Sequence, residues 1–261
     1  MKKSLFCLVI VASLLCGCGR NEEPPGGEAG PEVTVTAEAV LPTPEPSPEA
    51  APKPEHSALY IEGLSVEDVI TYFNEVCLDA EFVNSGDPSK LQKWNVPITY
   101  FINGQPTEED MATLTGFEAW LNTIEGFPGM LGTEDPLRAN LRIHFCTQQE
   151  MVDIMGDNFN GLDGGVTFWY DNDKIYSEVI CYRNDIDQTV RNSVILEEIY
   201  NGLGPVQDTW LREDSIAYAG YSAPQSLTAV DELLLRLLYH PDMVCGMNRA
   251  QCEEVIRSLY Y

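Results

Sequence analysis

Basic residues are scarce in this 261-residue chain: 15 Lys and Arg stand against 41 Asp and Glu, leaving a formal charge of −26. Nucleic-acid binding by phosphate neutralisation is thereby excluded. Histidine is scarcer still, with only His56, His144 and His240. No apolar run reaches the roughly 20 residues that a membrane-crossing helix needs. Residues 19–57 contain no aromatic side chain at all, so this stretch has nothing to nucleate a core. What is plentiful is apolar residues: 44% of the chain is hydrophobic, and residues 58–261 form a block long enough for one domain with a full core.

The start of the chain is organised for export. Lys2 and Lys3 precede an apolar stretch from Leu5 to Leu15, which runs into Leu15-Cys16-Gly17-Cys18. A positive start, a short apolar run and a small residue before cysteine are the parts of a secretory signal. Together they resemble a bacterial lipoprotein signal over residues 1–18. That resemblance implies acylation of Cys18 after cleavage, membrane lipid as a partner through the acyl chains, and a location on the extracytoplasmic face of the cell membrane.

Residues 19–57 hold nine of the 17 prolines, and eight Glu against Arg20 and Lys53. Such a segment cannot bury enough apolar area to offset its ordering entropy and reads as a disordered tether. Fully extended at ~3.1 Å per residue it would reach roughly 120 Å. The block beyond it keeps 33 acids against 11 bases, a charge that disfavours docking flat on an anionic bilayer.

Within that block, Ser65-Val66-Glu67-Asp68 predicts a helix start with Ser65 as cap. Val66, Val69, Ile70, Phe73 and Cys77 then share one face. Trp94 to Ile102 reads as a strand despite Pro97. Thr107 caps a second predicted helix through about Ile124. Leu141 to Cys146 is a short strand, and Val166 to Tyr170 and Ile175 to Tyr182 form a hairpin around Asp171-Asn172-Asp173-Lys174. Asp157 to Gly165 fails the alternation of a calcium-binding loop and reads as a glycine-rich connection. Helices at about Gln188 to Gly202, Leu227 to Tyr239 with Thr228 as cap, and Asn248 to Leu259 complete an α+β plan with a mixed sheet of about four strands.

One segment carries a chemical pattern. Glu197-Glu198-Ile199-Tyr200-Asn201-Gly202-Leu203-Gly204-Pro205-Val206-Gln207 matches the spacing of the zinc signature H-E-x-x-H-x-x-G-x-x-H. Glu198 keeps the place of the general base, and Gly204 the place of the turn glycine. The three metal positions hold Glu197, Asn201 and Gln207 in place of histidine, and His56 falls in the tether, so three histidines cannot meet.

Asp214-Ser215-Ile216-Ala217-Tyr218 resembles the Ser-Ile-Met-x-Tyr stretch of matrixin-type metzincins, with Ala217 where the methionine would be. Thr228 to Tyr239 resembles their final helix. The resemblance implies a metzincin (zincin)-like fold with an active-site-type helix, C-terminal helices, and the Val166 to Tyr182 hairpin as the edge strand beside the substrate. More closely, Lys93-Trp94-Asn95-Val96-Pro97-Ile98, Arg191-Asn192, Leu196-Glu197-Glu198, Asp214-Ser215-Ile216 and Leu238-Tyr239-His240-Pro241-Asp242-Met243 resemble the bacterial family known as domain of unknown function 2927, whose members are often lipoproteins. That likeness covers about residues 60–250 and implies no reaction.

The expectation is a non-catalytic module that binds a peptide or an envelope protein by strand addition, with Glu197, Asn201, Gln207 and Tyr218 around the degenerate site and neither metal nor cofactor. The alternatives are an atypical peptidase using Glu198 as general base and a purely structural envelope protein. Glu197, Asn201 and Gln207 or Asp208 would suit calcium or magnesium better than zinc. Glu197 and Glu198 also have a plain structural reading as partners of Arg191 or Arg212. Ser193 and Ser215 lack a histidine at usable spacing. His144 and His240 read as structural. Of the five cysteines beyond Cys18, namely Cys77, Cys146, Cys181, Cys245 and Cys252, at most two disulfides can form and at least one thiol is left over; Cys146 with Cys181, and Cys245 with Cys252, are possible pairs in an exported domain, and all five reduced is the alternative.

Overall fold

In a computed structural model the described residues are 57–79, 90–220 and 222–260. The signal segment, Cys18 and the tether up to residue 56 lie outside them. Among the described residues no helix is long and apolar enough to cross a membrane.

The chain runs α1 (Val66–Leu78), β1 (Lys93–Trp94), β2 (Ile98–Gly104), α2 (Glu108–Leu121), β3 (Met130–Gly132), β4 (Leu141–Cys146), α3 (Gln148–Met155), a 3-10 turn (Asp157–Phe159), β5 (Gly164–Asp171), β6 (Lys174–Arg183), α4 (Gln188–Gly202), α5 (Ala229–Tyr239) and α6 (Arg249–Tyr260). Side-chain caps set most helix starts. Ser65 with Asp68, Thr107 with Asp110, Thr147 with Glu150 and Thr228 with Asp231 each close a reciprocal capping box, which gives partners to backbone N–H groups that the first turn leaves orphaned. The α3 helix escaped the sequence reading, although Thr147-Gln148-Gln149-Glu150 carries this signature. It is short and buries Met151 alone, so it shows little apolar periodicity.

The sheet has six strands, not about four. The stretch read as one strand from Trp94 to Ile102 is broken: β1 pairs with β6, while β2 pairs with β3 and β4. Pro97 stands in the break, where a residue without an N–H cannot feed a ladder. The three-residue β3 was also unread, because only Met130 of it is buried. Strands β1, β4 and β6 and strands β2, β3 and β4 pair in parallel; β5 alone is antiparallel, against β6. The β5–β6 turn places Asn172 at φ 50° and Asp173 at φ 62°, the two left-handed residues of a tight hairpin.

Side-chain alternation separates two apolar clusters. On one face, Ile143, Phe168, Ile180 and Tyr182 of the strands meet Ile195, Ile199 and Tyr200 of α4 and Leu234 and Leu238 of α5 in the main core. On the other face, Cys146 and Cys181 join Met151, Phe159 and Leu162 in a small cluster. The five described cysteines are all free thiols. The register sets Cys181 opposite His144 and Cys146 opposite Arg183, so the two thiols are diagonal neighbours on one face.

Candidate functional site

The helix that carries the zinc-like spacing, α4, is buried over most of its circumference and fixed at both ends. At its start Asp187 accepts from the Thr189 N–H at 2.8 Å. One turn on, Arg191 Nε donates to Asp110 Oδ1 at 2.7 Å with both side chains almost fully buried. Burial would raise the Asp110 carboxyl, but hydrogen bonds from Arg191, Thr107 and Gln188 outweigh it and hold the group below its ordinary range. The Arg191 guanidinium therefore serves α2, while Arg212 donates to Asp214.

At its end, α4 exposes carbonyls that need donors. Trp94 Nε1 donates to the Gly202 carbonyl at 3.1 Å and the Tyr239 hydroxyl to the Leu203 carbonyl at 2.8 Å. Gly204 then turns the chain at φ +130°, and a β-carbon there would lie 2.5 Å from the Gln92 carbonyl oxygen. Only glycine combines that dihedral with that approach.

Beyond the turn the chain returns past α4. Thr209 N–H donates to Ala217 O at 2.8 Å and Ala219 N–H to Thr209 O at 2.9 Å. The Ser215–Ala217 turn is held from below by Asp231, which accepts from the Ser215 hydroxyl at 2.7 Å and from the Ile216 N–H at 3.2 Å. Asp231 is itself the third-position partner of the cap Thr228 in the capping box of α5. Thus the stretch that resembles a Met-turn is clamped by a helix cap.

Between this returning segment, α4 and the first residues of β5 lies an open cleft. Its lining includes the carboxylic side chains of Asp163, Glu197, Glu198 and Asp208 together with Tyr218, and no Lys, Arg or His among the described residues. Glu198 is 2% exposed, and its Oε2 has no hydrogen-bond partner among the described residues. Burial first, then the charges of Glu197, Asp208 and Glu178, holds its carboxyl well above the ordinary range. Asp163 is paired with Arg183 at 3.2 Å.

The site positions read from the sequence divide here. Glu197, Glu198 and Tyr218 line the cleft; Asn201 and Gln207 do not. Asn201 is completely buried, with neither amide atom bonded among the described residues. Gln207 is half-buried, and its N–H donates to Val76 O. The described histidines stand elsewhere, His144 half-buried on β4 and His240 as the C-cap of α5. Burial, and then the charge of Arg142, pulls the His144 imidazole below its ordinary value.

Three functional candidates were missed. Asp163 lies in the glycine-rich connection, where no spacing singled it out. Glu178 is buried on β6 and pushed up to about 8 by burial, against a hydrogen bond from Trp94; an acid at an inward-facing place in an apolar strand was its signal. Trp210 is 69% exposed and meets the Tyr218 ring edge-on at 5.5 Å between centroids. A lone tryptophan in a loop gives no sequence pattern.

A family model described as "Protein of unknown function (DUF2927)" matches residues 66–258, and the chain belongs to that family. No curated protein matches it.

Proposed function

We propose that this DUF2927 member is a lipid-anchored extracytoplasmic protein whose domain keeps a metzincin-like plan without its zinc chemistry, and that it acts by binding a peptide or an extended protein segment. The anchor reading rests on the run from Lys2 to Cys18. The binding reading rests on one observation: the cleft opens at the start of β5, a strand that pairs with β6 alone among the described strands and antiparallel to it in an otherwise parallel sheet. A sheet edge beside a cleft is the arrangement used for strand addition, in which main-chain hydrogen bonds hold the ligand and pockets select its side chains.

The metzincin likeness draws support from the order of parts. A buried helix bears the Glu198 position and a glycine turn follows it. A clamped Ser215-Ile216-Ala217 turn comes next, then a further helix. Where zinc enzymes of that plan place three imidazoles, this chain has two carboxamides and a carboxylate.

The test is a pool of synthetic extended peptides offered to the purified chain. Intact capture that is lost when the peptide backbone is N-methylated supports strand addition. Cleavage products, abolished by Glu198→Gln, would replace this reading with that of a peptidase using Glu198. For the anchor, metabolic labelling with an alkyne fatty acid is expected to mark the parent chain and not Cys18→Ser.

A further inference from the structure

We propose that the cleft selects a cationic side chain, the lysine or arginine of a bound peptide, with the Glu198 carboxyl as its innermost acceptor and the Trp210–Tyr218 pair as the wall for its stem and charge. This rests on the peptide-binding reading and names the chemistry of the ligand.

Three independent features converge on it. First, the carboxyl groups of Glu197, Glu198 and Asp208 come from α4 and from the returning segment, beside Asp163, which Arg183 already pairs, and no basic side chain among the described residues lines the same space. Second, Glu198 is a buried polar group with an oxygen left unbonded. Such an atom costs free energy until a donor reaches it. Its carboxyl lies against Gly164, another residue of the cleft wall, where an added β-carbon would sit 3.1 Å from Oε1. Third, Trp210 leaves most of its ring in solvent while its partner Tyr218 lines the cleft. An exposed indole set edge-on to a phenol that lines the cleft is an aromatic pair of the kind whose ring faces attract Lys and Arg.

A neutral donor could reach the unbonded Glu198 oxygen but would not offset the surrounding carboxylates, and an acidic side chain would do neither. A lysine or arginine satisfies all three features: its head group donates to Glu198, its methylene stem covers the aromatic pair, and its charge offsets the carboxylates. The large acid excess of the folded block adds long-range attraction for a basic segment, so the association rate should fall as salt rises.

The test uses the purified full chain and a set of short extended peptides of alanine and serine that differ only at the centre: Lys, Arg, Gln, Nε-acetyl-Lys or Glu. Titration calorimetry is expected to show the Lys and Arg peptides binding at least about ten-fold tighter than the Gln and acetyl-Lys peptides, the scale of one charge-assisted hydrogen bond. Glu198→Gln should shrink that preference to within about two-fold while the variant still unfolds in one cooperative transition, a pattern that simple misfolding would not give. Trp210→Ala, a change in a mostly exposed side chain, should weaken the Lys and Arg peptides most and leave the melting temperature unchanged.

Equal binding of all five peptides would overturn the cation selectivity and leave the binding groove standing. Binding of none would remove both. Saturable binding of calcium or magnesium alone, in competition with the Lys peptide and lost in Glu198→Gln, would assign the carboxylates to a metal and overturn the proposal.

Discussion

The Glu178 carboxyl group occupies the space where Gly202 would carry a side chain: a β-carbon built on Gly202 overlaps it. A strand of the sheet and the last turn of α4 touch at this point, with the Trp94 indole donating to the Gly202 carbonyl beside them. The base of the cleft helix is therefore set by the absence of one methyl group.

Gly202→Ala is expected to destabilise the domain by about 1–3 kcal/mol, the usual cost of forcing extra volume into a packed site. Glu178→Ala in the same chain should recover part of that loss by vacating the space. Denaturant unfolding of the two single variants and the double variant measures the coupling, and strict additivity would show that the two residues do not meet.

Glu178 also gives the protein a pH dependence of defined sign. Its folded-state value of about 8 lies above the ordinary 4.5, so the folded chain keeps a proton that the unfolded chain has released. The contribution of this group is intact below about pH 4.5, declines as pH rises toward about 8, and is level beyond. Glu178→Gln should remove that decline, so the melting temperature of the variant relative to the parent rises between about pH 5 and about pH 9. Parallel curves would mean that the carboxyl is not buried in its protonated form.

The Asp110–Arg191 pair joins α2 to α4 with both groups out of water. Replacing only the arginine strands a buried carboxylate, and Arg191→Met is expected to cost about 3–5 kcal/mol. Asp110→Asn with Arg191→Met should cost less than the arginine change alone, because no bare charge remains. Urea midpoints of the three variants decide this.

Asp231 closes the α5 cap and the Ser215–Ile216 turn at once, accepting from Thr228, Ser215 and the Ile216 N–H. Asp231→Ala is expected to cost about 2–4 kcal/mol, since several hydrogen bonds to one charged acceptor are lost together. Hydrogen exchange should quicken at Ile216 and along the returning segment, whereas Ser215→Ala, which leaves Asp231 its other donors, should have a smaller effect on both.

The local parts of this fold were legible from the chain alone. Caps at Ser65, Thr107 and Thr228, the extent of α4, the strand from Leu141 to Cys146 and the β5–β6 turn depend on neighbouring residues and on the 2- and 3.6-residue periods. The scarcity of histidine likewise excluded a three-histidine zinc site without any coordinates. The sequence spacing Glu197, Asn201 and Gln207 described a site that tertiary structure then divided, because facing a cleft or a core depends on what packs against each side of α4. Glu197 and Glu198 open to the cleft while Asn201 is sealed in the interior. The acids that complete the cleft wall come from the connection before β5 and from the returning segment, and Trp210 reaches Tyr218 only through the bridge that pairs Thr209 with Tyr218. Such meetings join residues far apart in the chain through strand pairing and helix packing, and no local period encodes them. The residues of the cleft were fixed by the chain; their convergence, and the electrostatics that follow from burying Glu198 among other acids, arose only when the sheet and α4 came together.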